Sequence, residues 1–141
     1  EFYKQQSIDK GDDKMQVNIT VSNEVIMSLL DCALEGGSNY WYVDVSEGNA
    51  PEFSELGYED YEWWQKYPVL GGSIVVVAPN KDSDEEKLVA YQLDRSRIEK
   101  GLALMAEKSP WHFGNAMNGN EDVETGDVFL QYCLYGEIVY G

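Results

Sequence analysis

His112 is the single histidine of the chain. A nucleophilic triad would need it beside a hydroxyl and an orienting carboxylate. Ser109 lies too close to it in sequence for that role and reads better as a helix cap in Ser109-Pro110. His112 is therefore expected to be structural or superficial. One histidine and two distant cysteines, Cys32 and Cys133, supply no ligand pair at i, i+3 or i, i+4, so no transition-metal site is expected. Asn80, Asp82 and Asp84 fall at the first, third and fifth positions of a calcium-type loop. Glu85 stands where glycine is needed and Tyr91 where a bidentate glutamate is needed, which leaves a solvated hairpin loop. Gly36-Gly37 and Gly71-Gly72 read as a helix stop and a turn, not as phosphate-binding loops. Carboxylates are too abundant for any acid–base pair to be singled out. No catalytic residue, metal or cofactor is expected, and the chain reads as a non-enzyme.

Binding chemistry is better supported. Between Asp44 and Glu62 the charged residues are all acids: Asp44, Glu47, Glu52, Glu55, Glu59, Asp60 and Glu62. Phe53, Tyr58, Tyr61, Trp63 and Trp64 are interleaved with them. Aromatic anchors ringed by carboxylates suit a basic protein groove, including one built for nucleic acid, because spaced carboxylates can stand in for phosphates. The candidate partner-binding set is Glu52, Glu55, Tyr58, Glu59, Asp60, Glu62, Trp63 and Trp64. The plainer reading has these aromatics covering the protein's own core, with the acids as its solvated edge. A second candidate set is Tyr40, Trp41, Arg95 and Arg97. Asn39-Tyr40-Trp41-Tyr42 could stack on a planar ligand such as a nucleotide, and the two arginines, the only ones in the chain, flank a helix start where a phosphate could sit. Core packing for the rings and surface ion pairs for the arginines are the plainer alternatives.

The whole-chain charge points the same way. Asp and Glu number 26 against 10 Lys and Arg, a formal net charge of −16. Such a surface repels nucleic acid and anionic membranes and accepts a basic partner. Solubility or a salty medium would also account for it. A length of 141 residues with 43 % hydrophobic content suffices for one core and argues against disorder. No apolar run reaches a membrane span and no signal peptide is visible. Cys32 and Cys133 are expected as buried free thiols of a reducing compartment, with a bridge between them left open.

The elements that must position these residues begin after residues 1–14, which are polar and read as a flexible tail, an appended remnant or an upstream extension. Residues 15–141 are expected to form one α+β domain. Val17, Ile19 and Val21 alternate with Gln16, Asn18 and Thr20, a strand pattern. Ser22 then caps a helix with the stripe Ile26, Leu29, Leu30 and Ala33, and Gly36 supplies a left-handed stop. Asn39–Val45 is aromatic and β-branched, a second strand. Residues 46–72 are the least decided stretch, with a short helix over 55–65. Residues 73–78 and 87–93 form a hairpin around the polar loop 79–86. Asp94 caps a helix with Ile98, Gly101, Leu102 and Met105 on its inner face. A short helix from Ser109-Pro110 carries Trp111, Phe113 and Met117 and stops at Asn118-Gly119. Asp122–Asp127 restart the chain into a mostly apolar closing helix with the stripe Phe129, Tyr132, Cys133 and Gly136. The expected fold is an antiparallel sheet of about four strands with three to four helices packed on it.

Two stretches together resemble a group of small uncharacterised proteins of tailed phages and prophages. One is Ser22-Asn23-Glu24-Val25-Ile26 leading to Glu35-Gly36-Gly37-Ser38-Asn39-Tyr40-Trp41-Tyr42. The other runs from Leu93-Asp94 through Lys100-Gly101-Leu102 and Met105–Lys108 to Glu124-Thr125-Gly126-Asp127-Val128-Phe129-Leu130-Gln131 and Gly136–Gly141. The match spans roughly residues 15–45 and 88–141, and residues 46–87 lie outside it. The resemblance implies action in the cytoplasm of an infected or lysogenic bacterial host and carries no catalytic residues.

The leading expectation is thus a phage accessory protein that binds and modulates or inhibits a host defence or regulatory protein, without contacting nucleic acid or membrane itself. A small-molecule or nucleotide sponge is the alternative, and an enzyme of unrecognised type comes last. Self-association into a homo-oligomer remains open.

Overall fold

A computed structural model of the protein describes residues 13–83 and 87–141. The tail reading for residues 1–12, and Asp84 and Glu85 of the calcium-loop comparison, lie outside the described residues. Within them the fold is α+β, with five helices and a three-stranded antiparallel sheet in the order β1-β2-β3.

Helix α1 spans Asn23–Cys32, and the Ser22 hydroxyl accepts from the Val25 amide as expected of a cap. The helix does not end in a left-handed glycine at Gly36. It widens into a π-helical turn, Ala33–Gly37. The cause is the neighbour: a Cβ on Gly37 would lie 2.0 Å from the Val123 carbonyl oxygen, and one on Gly126 2.6 Å from the Ala33 nitrogen. Wider coiling and missing side chains let the two backbones touch.

The strand expected over 39–45 is displaced. Residues 38–41 form a turn in which the Trp41 and Tyr42 amides donate to the Ser38 carbonyl. Strand β1 is Asp44–Glu47. The helix expected over 55–65 is displaced too: residues 55–62 are non-helical, and α2 runs Trp63–Val69, started by a reciprocal capping box between Glu62 and Gln65. Strands β2, Ser73–Pro79, and β3, Leu88–Asp94, form the expected hairpin, with Val76 opposite Tyr91. Strand β1 pairs on the other side of β2, with Val45 opposite Val76.

Helix α3, Arg95–Lys108, buries Ile98, Gly101, Leu102 and Met105, the face its spacing predicted, and Asp94 accepts from the Arg97 amide. Helix α4 is Pro110–Met117 and α5 is Val123–Tyr135. Asp122 caps α5 through the Thr125 amide, and Gly136 closes it at φ 74°, so Gly136 is the stop rather than part of the buried stripe. Burial runs almost all round α5, as an uncharged stretch from Val128 to Gly136 requires. α5 packs against α3, α1, the π turn, α4 and β3. Phe129, Leu130, Leu29, Ile74, Leu93 and Met105 are inaccessible around it. A smaller cluster, Met27, Val69 and Leu70, sits between α1 and α2.

The expected count of about four strands falls to three because residues 15–21 form none. Their alternation is strand-like, but they pair with no strand of the sheet, and Met15, Val17 and Ile19 stay exposed. The expected three to four helices become five. Among the described residues no helix is long and apolar enough to cross a membrane.

Candidate functional site

Residues 48–62, between β1 and α2, form a long loop that is fixed rather than free. Its root is stapled by Ser73, which is almost inaccessible. The Gly48 amide donates to the Ser73 carbonyl at 3.0 Å and the Ser73 amide to the Asn49 carbonyl at 3.0 Å. The Ser73 hydroxyl accepts from the Asn49 amide and from the Gln92 side chain, both at 2.8 Å. Further along, the Glu52 and Phe53 amides share the Leu70 carbonyl, at 3.0 and 2.9 Å. The far end is pinned by Tyr58, whose hydroxyl accepts from Asn23 at 3.1 Å and whose ring lies 6.0 Å from that of Tyr61, both packed on the Met27 cluster.

On this frame Glu52, Glu55, Glu59, Asp60 and Glu62 are all exposed. Lys66, the first basic residue after them, pairs with Glu55 at 3.1 Å and also donates to the Tyr58 carbonyl. Glu59 accepts from the Gly57 amide at 2.9 Å, and Glu62 caps α2. The aromatic half of the candidate set turns inward. Tyr58, Trp63 and Trp64 are half-buried and pack onto core clusters, so the plainer reading holds for much of their surface. The exposed apolar groups of the lobe are instead Phe53, at 56 %, and Leu56, at 80 %. Leu56 was not singled out from sequence. A lone leucine between Glu55 and Gly57 carries no periodic signal, and its exposure follows only from the loop's course.

The four residues of the second candidate set are committed elsewhere. Trp41 is buried, stacks on Tyr140 with centroids 5.5 Å apart, and donates its indole N–H to Asp127 at 2.7 Å. The Tyr40 hydroxyl donates to Asp127 at 2.6 Å while its ring faces solvent. Burial, and then the bond to Asp127, push its phenol up to about 12. Arg95 donates to the Val69 carbonyl at 2.7 Å. Arg97 reaches the Leu134 carbonyl at 3.3 Å and lies over the Tyr91 ring. Arg95 lines one hollow of the surface and Arg97 another, and neither hollow includes Tyr40 or Trp41.

Asp127 is the centre that the sequence reading missed. It is 8 % exposed and accepts four bonds: Ser38 Oγ at 2.8 Å, Tyr40 at 2.6 Å, Trp41 Nε1 at 2.7 Å and Gln131 Nε2 at 3.2 Å. Gln131 also accepts from the Val139 and Tyr140 amides, at 2.7 and 2.9 Å, and donates to the Tyr140 carbonyl. The C-terminal segment is thereby strapped over Trp41. The available signal was a polar pair at i, i+4 on a helix otherwise apolar all round, which demands buried partners. With every oxygen occupied by the protein's own donors, the carboxylate is a structural clamp rather than an acid–base group.

His112, on α4, directs its ring at the first turn of α5. Its Nδ1 lies 2.9 Å from the Thr125 hydroxyl and its Nε2 3.8 Å from Glu124. Hydroxyl, imidazole and carboxylate do adjoin, but Thr125 has no exposed surface and offers a substrate no nucleophile. Ser109 does not cap α4 with its side chain. Its hydroxyl pairs with that of Tyr132 at 2.7 Å. Cys32 and Cys133 are free thiols, and burial pushes both upward. Among the described residues no group of three or more His, Cys, Asp or Glu side chains is placed to hold a metal ion. Comparison with protein-family models, curated proteins and solved structures gives no match to this chain.

Proposed function

We propose that this chain is a non-enzymatic, phage-encoded accessory protein that binds and modulates a basic host protein through the 48–62 lobe. One observation carries the reading: Phe53 and Leu56 protrude from a loop whose backbone is already fixed and whose own charged residues are all acids. Loops of this length without secondary structure are usually functional or disordered, and this one is held by hydrogen bonds at both ends. A preformed loop forfeits little entropy on docking. Its carboxylates steer a basic surface, and its two apolar side chains provide the desolvated contact. A host nucleic-acid-binding groove has the matching charge, and the phage resemblance supplies the host cell.

The test is retention of proteins from a nuclease-treated bacterial lysate by the wild-type chain and by two lobe variants. One variant reverses charge (Glu55→Lys, Glu59→Lys, Glu62→Lys) and the other truncates the anchors (Phe53→Ser, Leu56→Ser). A stoichiometric basic protein held at low salt and lost at high salt is expected. Charge reversal should slow association by about 10- to 1,000-fold. Truncation of each anchor should weaken binding by roughly 5- to 30-fold, equivalent to about 1–2 kcal/mol. Identical retention by wild type and both variants, all with native melting curves, removes the lobe from the function.

A further inference from the structure

The apolar/polar pattern of residues 15–21 is the same in both directions. Apolar Met15, Val17, Ile19 and Val21 alternate with polar Gln16, Asn18 and Thr20, and Asn18 lies at the centre. In the folded chain the segment pairs with no strand, and Met15, Val17 and Ile19 are 94, 80 and 56 % exposed. Unpaired backbone outside any helix or strand, with alternating apolar side chains, is a template for another strand. Beside it runs a largely apolar groove of about 630 Å³, lined by Val17, Ile19 and Val21 together with Ile98, Leu102 and Phe113.

We propose that a second copy of this chain occupies the groove, its residues 15–21 pairing antiparallel with those of the first about a two-fold axis through Asn18. Three observations select this occupant. In that register Met15 faces Val21, Val17 faces Ile19, Gln16 faces Thr20 and Asn18 faces Asn18, so both copies place every apolar side chain on one face of the ribbon. An isologous contact of this kind closes at two copies. The segment also lies in a stretch, residues 15–23, without a single charged side chain, where two chains of net charge −16 can approach with least repulsion. Finally, a two-stranded ribbon alone is marginal in water, and the groove supplies the apolar floor it needs. The interface is separate from the acidic lobe. Added salt screens the repulsion between copies and favours the dimer, whereas it weakens binding of a basic partner.

Sedimentation and light scattering of residues 1–141 over a wide concentration range test the proposal. The wild type is expected to reach twice the chain mass, more readily at higher salt. Val17→Asp with Ile19→Asp is expected to stay at one chain with an unchanged melting curve, since both side chains are exposed in the folded chain. Opposed residues of an antiparallel pair have Cα atoms about 4.5–5.5 Å apart, within disulfide reach. Asn18→Cys should therefore cross-link two copies on oxidation, while Met15→Cys, far from its own counterpart in this register, should not. A single-chain mass at every concentration overturns the proposal. So does a dimer indifferent to the double substitution, equal cross-linking of Met15→Cys and Asn18→Cys, or a single chain that carries an apolar small molecule in native mass spectrometry.

Discussion

Replacing Asp127 by alanine should destabilise the fold more than any single change on the acidic lobe. The substitution removes the acceptor of four hydrogen bonds. Two of the donors belong to side chains with almost no access to water, Ser38 at 0 % and Trp41 at 6 %. A stranded buried donor costs about 1–3 kcal/mol, so these two account for about 2–6 kcal/mol. Tyr40, whose ring is exposed, can turn its hydroxyl to water and adds little. Burying a carboxylate is itself unfavourable, so its removal returns part of the loss. The net destabilisation is about 2–4 kcal/mol, and the midpoint of thermal unfolding should fall by roughly 6–15 °C. Asp127→Asn should be milder. The Ser38 and Trp41 bonds both land on Oδ1, which an amide oxygen can replace. The amide nitrogen would meet Tyr40, which can accept, and Gln131 Nε2, which cannot. Urea unfolding followed by tryptophan fluorescence and near-ultraviolet dichroism measures both variants. An alanine variant within about 1 kcal/mol of wild type, or an asparagine variant no milder than alanine, refutes the clamp.

Two further outcomes follow from the same packing. The folded state raises the Tyr40 phenol to about 12 from an ordinary value of 10. A group held protonated in this way contributes stability that is complete below the unfolded value and is lost as pH rises through the folded one. Alkaline unfolding should therefore set in between pH 10 and 12, and in Tyr40→Phe the part of that pH dependence due to this phenol should vanish, as read by tyrosinate absorbance alongside dichroism. Gly101→Ala would place a Cβ 2.4 Å from Cys133 Sγ and 2.8 Å from its Cα, driving α3 from α5. A loss of about 1–3 kcal/mol is expected, whereas Gly114→Ala, with nothing within 4 Å of its Cβ, should gain about 0.5–1 kcal/mol, and equal effects in chemical denaturation would discredit the close approach.

Where local signals agreed, the sequence was a sufficient guide. Helix α3 has its cap at Asp94, its inner face at Ile98, Gly101, Leu102 and Met105, and its close approach at Gly101, all visible as spacing. The β2–β3 hairpin and the start of α5 near Asp122 were legible for the same reason, whereas Gly136 proved to be the stop of α5 rather than a member of its stripe. The failures share a different cause. Asn39–Tyr42 has strand-forming residues, but Ser38, Tyr40 and Trp41 are drawn into a turn by a carboxylate 86 to 89 positions away. No window of local sequence contains that partner. The π turn at Ala33–Gly37 likewise answers to the backbone of Val123 and Gly126. Residues 15–21 show the converse case: the alternation is present, but a strand exists only where an edge receives it.

The turn Ser38–Tyr42 and helix α5 meet at Asp127, and this bears on where a contact surface can reside. Ser38, Tyr40, Trp41 and Gln131 direct their polar atoms at one another's partners inside the molecule. A motif whose donors and acceptors satisfy each other has none left to recognise a ligand, so its residues specify the fold. On the 48–62 lobe, by contrast, Glu52, Glu55, Glu59, Asp60 and Glu62 all face water. A fixed scaffold that holds one independent loop is the usual arrangement of a binding protein. The lobe is joined to the scaffold through backbone bonds to Ser73 and Leu70, and those bonds do not depend on which side chains the loop displays. Charge reversal at Glu55, Glu59 and Glu62 should then weaken partner binding strongly at a stability cost of only about 1–2 kcal/mol, from the lost α2 cap and the Glu55–Lys66 pair, while Asp127→Ala should lower stability further and leave the affinity of the molecules still folded intact. If the Asp127 variant, measured well below its melting temperature, loses the partner as completely as the lobe variants do, clamp and lobe are one site and the division between scaffold and contact surface is wrong.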